Sequence, residues 1–211
     1  MSAAPYLPPY LLYLHGFRSS PRSFKARVVS AALEAAGQGE RLICPQLPAS
    51  PKAAIALCLE LAERHAPAHG GGGLAIVGSS LGGFYACWLA ERLGVRAAVI
   101  NPSSDPTRNL EHHVGVTTAW HSDEPFEFRP EYIDELRALR VDRITRPERY
   151  FLLAATGDEV LDYRDMVAHY AGARQHVIDG GDHAVSDFPR YVDEVLAFCG
   201  LGAGSGAGAA R

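Results

Sequence analysis

Leu74-Ala75-Ile76-Val77-Gly78-Ser79-Ser80-Leu81-Gly82-Gly83 is the stretch on which the reading of this chain turns. Leu74 to Val77 is a short apolar run entered from the Gly70 to Gly73 loop, with the length and character of a buried strand. A helix is expected after it, from about Leu81 to Leu93. Between the two, Gly78-Ser79-Ser80-Leu81-Gly82 fits the pattern G-x-S-x-G. Without its flanks this is an ordinary glycine-rich turn. With a strand before and a helix after, it becomes a sharp, strained elbow that pushes the Ser80 hydroxyl clear of the sheet. Small residues are needed two positions on either side because the flanking backbones approach closely. Ser80 is therefore the candidate nucleophile, and the Leu81 amide at the helix start a candidate donor to a developing oxyanion.

Outward from this elbow, apolar β-rich runs alternate with segments of helical period, the signature of a parallel sheet covered by helices. Strands are expected at Tyr10 to Leu14, Leu42 to Cys44, Ala97 to Ile100, Tyr150 to Ala155 and Gln175 to Ile178. With the strand before Ser80 they make about six. Ser20-Pro21 is expected to open a helix carrying Phe24, Val28, Val29 and Leu33 on one face. Further helices are expected from Pro51 to Ala66, Tyr163 to Tyr170 and Pro189 to Phe198. The fold class is α/β, with helices on both faces because right-handed crossovers place them there.

Residues 1–199 read as one domain, for which the 211-residue length and 47% hydrophobic content suffice. The stretch 102–149 breaks the rhythm. It is rich in His, Asp, Glu and Pro, holds one helix at Glu131 to Leu139, and is expected to cap the site with Trp120, Phe126 and Phe128 selecting the acyl group. The Gly/Ala-rich tail at 200–211 is expected to be disordered.

Twenty basic against twenty-four acidic residues give a charge of -4 with no long run of either sign, which argues against nucleic-acid binding. Cys44, Cys58, Cys87 and Cys199 show no paired spacing and fit reduced thiols. No apolar run nears the roughly 20 residues of a membrane span, and Met1 to Pro9 lacks the features of a signal peptide, so a soluble, cytoplasmic protein is expected.

A serine needs a base, and His183 in Gly180-Gly181-Asp182-His183 follows the last expected strand, at the same edge of the sheet as Ser80. Asp158 in Thr156-Gly157-Asp158 ends the strand before it, and can accept the Nδ1 proton of the histidine. Asp182 and Asp162 are rivals for that role. Asp182 is adjacent to the histidine, and neighbouring side chains diverge; Asp162 suits the first turn of a helix. The order Ser80, Asp158, His183 is that of a hydrolase triad. The second oxyanion donor is expected in His15-Gly16-Phe17 after the first strand, as the Phe17 amide, with His15 a structural hydrogen-bonder beneath the site.

Leu12 to Phe17 with Ser19 to Ser23, Pro45-Gln46-Leu47-Pro48, Val77 to Ala86, Asn101-Pro102, Thr156 to Tyr163 and Gly180 to His183 together resemble the YqiA-type bacterial esterases. The blocks run in family order over nearly the whole chain outside 102–149 and the tail. The resemblance implies a compact α/β-hydrolase acting on acyl esters, with acyl thioesters included, and a triad at Ser80, Asp158 and His183. Its middle region departs from the family pattern, so substrate preference does not carry over.

No cofactor is expected. His112-His113 and His121-Ser122-Asp123-Glu124 lack zinc spacing, so no metal is expected either. Arg18, Arg22, Lys25 and Arg27 form a basic cluster near the proposed site, read equally well as a solvated helix face or as a patch for an anionic acyl carrier. The expected partner is a small acyl ester or thioester. An acyltransferase with the same triad, or a hydrolase-fold binding protein without turnover, are the alternatives; the sequence says nothing of oligomeric state.

Overall fold

A computed structural model describes residues 9–65, 73–118 and 125–202. In chain order the elements are β1 (Tyr10–Leu14), α1 (Phe24–Ala35), β2 (Leu42–Ile43), α2 (Pro51–His65), β3 (Leu74–Ser79), α3 (Leu81–Leu93), β4 (Arg96–Ile100) and α4 (Pro106–Leu110). They continue with β5 (Gly115–Thr118), β6 (Pro125–Phe128), α5 (Glu131–Ala138), β7 (Tyr150–Ala155), α6 (Tyr163–His169), β8 (Arg174–Ile178) and α7 (Val192–Phe198). Six strands form one sheet in the order β2-β1-β3-β4-β7-β8, and every neighbouring pair is parallel. The chain leaves β1 toward one edge for β2 and returns on the other side for β3. That reversal opens a crevice between the carboxyl ends of β1 and β3, where open α/β sheets bind ligands.

The inner strands β1, β3, β4 and β7 are mainly apolar on both faces because both are covered, whereas the edge strand β8 reads Arg174-Gln175-His176-Val177-Ile178 and is largely open to solvent. Leu12, Leu14, Ile76, Val99 and Leu152 point into one core, shared with Ala54 and Cys58 of α2, Phe84 of α3 and Met166 of α6. Their alternating neighbours Leu11, Tyr13, Val77, Ile100 and Leu153 point into the other, against Val29 and Leu33 of α1 and Val195 of α7. Two-residue periodicity in each strand thus assigns its side chains to opposite layers.

Three expected boundaries move. Ser20-Pro21 does not open α1: the Ser20 hydroxyl accepts from Arg22 N, and Ser23 N donates to Ser20 O, so these residues form a turn and the helix begins at Phe24. Phe24 consequently points away from the core and is 40% exposed, while Ala26, Val29 and Leu33 form the buried face. The last helix starts at Val192, because Phe188–Arg190 makes a separate short 3-10 turn that buries Phe188 completely. The ordered chain also continues past residue 199, since Leu201 is buried and Gly202 N donates to the side chain of Gln38. The remainder of the tail lies outside the described residues.

In the 102–149 stretch, Glu131–Ala138 is helical much as expected, and α4 together with the antiparallel β5–β6 hairpin are additions the sequence did not announce. Trp120 and His121 to Glu124 lie outside the described residues. The stretch is fastened to the body by Glu135, whose carboxylate accepts from the Ser50 hydroxyl at 2.7 Å and from Lys52 N at 2.9 Å. That carboxylate sits at the start of α2, where the helix dipole favours negative charge. Glu91 of α3 fastens the other end, accepting from the Tyr150 phenol at 2.6 Å and from Thr145 N at 3.1 Å. All four cysteines are free thiols, and burial pushes Cys58 up to about 12. Among the described residues no helix is long and apolar enough to cross a membrane.

Candidate active site

The elbow after β3 is built as its sequence demands. Ser80 has φ 56° and ψ −121°, a left-handed conformation that a non-glycine residue holds only when its surroundings fix it. Those surroundings are the end of β4: Ser80 N donates to Ile100 O at 3.1 Å, and Ser80 O accepts from Ser103 N at 3.1 Å. A Cβ on Gly78 would lie 2.2 Å from Gly82 O, and one on Gly82 would lie 2.1 Å from Leu14 O. Neither contact can be relieved without moving backbone, so both glycines are required by space alone.

Ser80, His183 and Asp158 come together in one line of hydrogen bonds. The Ser80 Oγ is 3.1 Å from His183 Nε2, and His183 Nδ1 is 2.8 Å from Asp158 Oδ2. The Asp158 side chain is wholly buried, and its other oxygen accepts from Val160 N at 2.8 Å and Leu161 N at 2.9 Å. An ionised carboxylate in that position is fully satisfied. Its proton-accepting oxygen faces the imidazole, which fixes the histidine tautomer that leaves Nε2 free to accept from the serine.

The rival carboxylates are occupied elsewhere. Asp182 accepts from Ser186 N and from the Ser186 hydroxyl, at 2.9 and 2.6 Å; these bonds, led by the hydroxyl, hold its pKa below the usual carboxylate range. Asp162 is the N-cap of α6 and accepts from Arg164 N, the part expected for it. His15 is also as expected. Its Nε2 accepts from Leu47 N at 3.1 Å, which leaves Nδ1 to donate to Gly16 O at 3.0 Å.

The loop after β1 lies directly against Ser80, since a Cβ on Gly16 would come within 3.7 Å of Ser80 Oγ. Phe17 and Leu81 both border the same cavity as Ser80. Leu81 is the first residue of α3, where helix geometry leaves an N–H without an intrahelical acceptor. The Phe17 ring packs edge-on against Phe126 and Phe128 and near His113, tying the loop after β1 to the β5–β6 hairpin. Phe126 and Phe128 therefore support Phe17 from behind, and the cavity itself is bordered by Leu110 and His113. It encloses about 540 Å³, within the usual range for small-ligand sites.

Asn101 has a part that sequence reasoning did not assign. Fully buried at the end of β4 with φ 40°, it accepts from Ala155 N at 2.8 Å and donates from Nδ2 to Asp182 O at 3.0 Å and His183 O at 3.2 Å. One amide thereby ties the end of β7, just before Asp158, to the loop that carries His183. Two further contacts hold that loop: His183 N donates to Glu159 Oε2 at 2.9 Å, and Lys25 Nζ donates to Ala184 O at 2.7 Å. Among the described residues, the non-glycine residues with positive φ are Arg18, Ser80, Asn101 and Val185, all in the loops at this end of the sheet. No group of three or more His, Cys, Asp or Glu side chains among the described residues is arranged to hold a metal ion.

Comparison with known proteins follows the geometry. The model of an uncharacterised protein family, UPF0227, matches residues 10–200. A provisionally named hydrolase from Agrobacterium vitis S4 superposes with a TM-score of 0.72 at 21% identity, covering 93% of this chain and 91% of its own. Est1E from Butyrivibrio proteoclasticus, with ferulic acid bound, gives 0.65 at 16% identity over 90% of this chain and 88% of its own. The esterase domain of a Rhodothermus marinus protein gives 0.58 at 22% identity over 90% and 85%. At these identities the likeness establishes a shared α/β-hydrolase fold.

Proposed function

This chain belongs to UPF0227, the family of the YqiA-type esterases, and from that premise we propose that it is a serine hydrolase of carboxylic esters. The observation that carries the proposal is the unbroken line from Ser80 Oγ through His183 to a buried Asp158, mounted on a strained elbow. Such an arrangement has no structural purpose that an ordinary turn would not serve at less strain.

In the proposed route, His183 Nε2 takes the proton as Ser80 Oγ attacks the acyl carbonyl. The Phe17 and Leu81 amides hold the resulting oxyanion, and Asp158 stabilises the imidazolium without itself taking the proton. His183 then returns the proton to the departing alcohol. Water, deprotonated by the same histidine, attacks the acyl-serine and completes hydrolysis. No cofactor enters these steps. The esterase names of the Butyrivibrio and Rhodothermus neighbours support an ester substrate.

A thioesterase or an acyltransferase would use the same residues, and the accepting nucleophile distinguishes them. A serine-directed fluorophosphonate tests the common chemistry: it is expected to add once, at Ser80. An adduct on Ser79, or none on protein that hydrolyses esters, would overturn the assignment.

A further inference from the structure

The cavity beside Ser80 has a smaller neighbour of about 190 Å³, held between α4 and the start of α6. Ser103, Asn109, Val160 and Leu161 border both, so the two compartments meet along one seam. Their far walls differ. Among the described residues the larger cavity reaches His183 and Ala184, whereas the smaller one ends on Asp105, Arg108, Asp162 and Asp165.

Ser103 stands on the seam. Its amide donates to Ser80 O at 3.1 Å, which fixes the residue next to Ser80. Ser103 is only 7% exposed, yet its hydroxyl makes no hydrogen bond among the described residues and its oxygen is not sealed from solvent. That oxygen therefore opens on the two compartments the residue borders. A hydroxyl so confined can donate and accept only to what enters there. The Asn109 side chain is exposed on the same seam, and its donors and acceptor are likewise without partners among the described residues.

The carboxylates of the smaller compartment are mostly engaged already. Asp105 accepts from the Thr107 hydroxyl at 2.6 Å and pairs with Arg108 and Arg140, at 3.3 and 3.5 Å. Asp162 accepts from Arg164 N at 2.9 Å and pairs with the Arg164 guanidinium at 3.4 Å. With cations against two of its three carboxylates and Arg108 on its own wall, the compartment suits an uncharged hydrogen-bonding group better than an ion.

Resting on the hydrolytic reading above, we infer that the substrate is an ester whose acyl arm carries a hydroxyl group, seated against Ser103 and Asn109 where the two compartments meet. The side follows from the chemistry. His183 returns its proton to the departing oxygen, so the leaving arm lies in the larger cavity, which His183 borders. The arm that stays on Ser80 is the one left to cross the seam.

The test uses esters in which a hydroxyl replaces a methyl group of the same size. On the acyl arm, each enantiomer of ethyl 3-hydroxybutanoate is paired with ethyl 3-methylbutanoate. On the alcohol arm, 2-hydroxypropyl butanoate is paired with 2-methylpropyl butanoate. Each ratio of kcat/KM is divided by the ratio of alkaline hydrolysis rates, which removes intrinsic reactivity. Wild-type enzyme is expected to favour one 3-hydroxybutanoate enantiomer by about tenfold, the worth of one or two hydrogen bonds, with no such preference in the alcohol pair. Ser103→Ala should bring the acyl ratio within about twofold of one, and Asn109→Ala should lower it. Neither should lower the melting temperature, because neither side chain has a protein partner to lose, so a lost ratio at unchanged stability marks contact with the substrate. Should Ser103→Ala not fold, Asn109→Ala at its exposed position decides by the same ratio. An acyl ratio near one in wild-type enzyme, a ratio that survives in the folded variants, or a preference lying in the alcohol pair would overturn the inference. Ligand-detected NMR titration with N-ethyl-3-hydroxybutanamide and N-ethyl-3-methylbutanamide separates the two readings, because it needs no turnover. Tighter binding of the hydroxylated amide, lost in Ser103→Ala, with no ester hydrolysed would sink the hydrolase proposal alone; ester hydrolysis with equal amide binding and an acyl ratio near one would sink the subsite alone.

Discussion

Replacing Asp158 by Asn tests the site at its most constrained atom. One carboxylate oxygen of Asp158 accepts from the amides of Val160 and Leu161, and the other faces His183 Nδ1 at 2.8 Å. An asparagine in this wholly buried position has only one way to sit. Its oxygen must remain against the two N–H groups, because turning its NH2 toward them would leave three donors facing one another. Its NH2 then points at Nδ1, which becomes the acceptor, and the histidine proton moves to Nε2, against Ser80. In that tautomer the imidazole cannot take the serine proton. The expected loss in kcat approaches about 10⁴-fold, equivalent to about 5.4 kcal/mol of barrier. Shape and hydrogen-bond count are nearly conserved, so thermal unfolding should change little. Asp182→Asn is the matched control, expected to stay within about tenfold because Asp182 is engaged with Ser186. Steady-state hydrolysis of a 4-nitrophenyl ester by both folded variants decides the matter. Activity within tenfold in Asp158→Asn, or a thousandfold fall in folded Asp182→Asn, would refute the reasoning.

Asn101→Ala should lower stability by about 2 kcal/mol or more in urea, because it orphans Ala155 N and two loop carbonyls, and it should lower kcat more than it raises KM. Gly82→Ala should fail to give folded protein in far- and near-ultraviolet circular dichroism, since its Cβ would sit 2.1 Å from Leu14 O. Leu110→Ala, on the cavity, should shift preference among acyl chain lengths more than Phe128→Ala, which is buried behind Phe17 and should chiefly lower the melting temperature.

Much of the scaffold was legible because the inner sheet strands are short apolar runs and most of the long helices announce their own period. Tyr150 to Ala155 and Leu81 to Leu93 fall where their residues place them. Legibility failed where a local signal had two uses. Ser20-Pro21 suits a helix start and a turn equally, and the burial of Ser20 in the loop beside the site decides for the turn. Pro189 likewise opens a 3-10 turn in place of a full helix. The β5–β6 hairpin escaped notice because its strands have four residues each and are mostly exposed, leaving only the Phe126 and Phe128 alternation to mark one of them. The Ser80, Asp158 and His183 geometry could be anticipated because each residue sits next to a strand end. The roles of Asn101 and Lys25 could not, since their partners are 54 to 159 residues distant in the chain and no local pattern records them.

The concentration of left-handed residues at one end of the sheet divides the protein for anyone who would engineer it. Arg18, Ser80, Asn101 and Val185 each hold a conformation that side chains disfavour by about 1–3 kcal/mol, and Val185 does so although β-branched and completely buried. A selection for thermostability alone would find early gains by relaxing these positions, Val185→Gly or Val185→Asn foremost, and would loosen the histidine loop in doing so. Gains sought at the opposite end, where the strands begin and the helices of each crossover finish, carry no such conflict. The molecule therefore has a hardenable pole and a pole that must stay strained, and libraries built for robustness should be confined to the first.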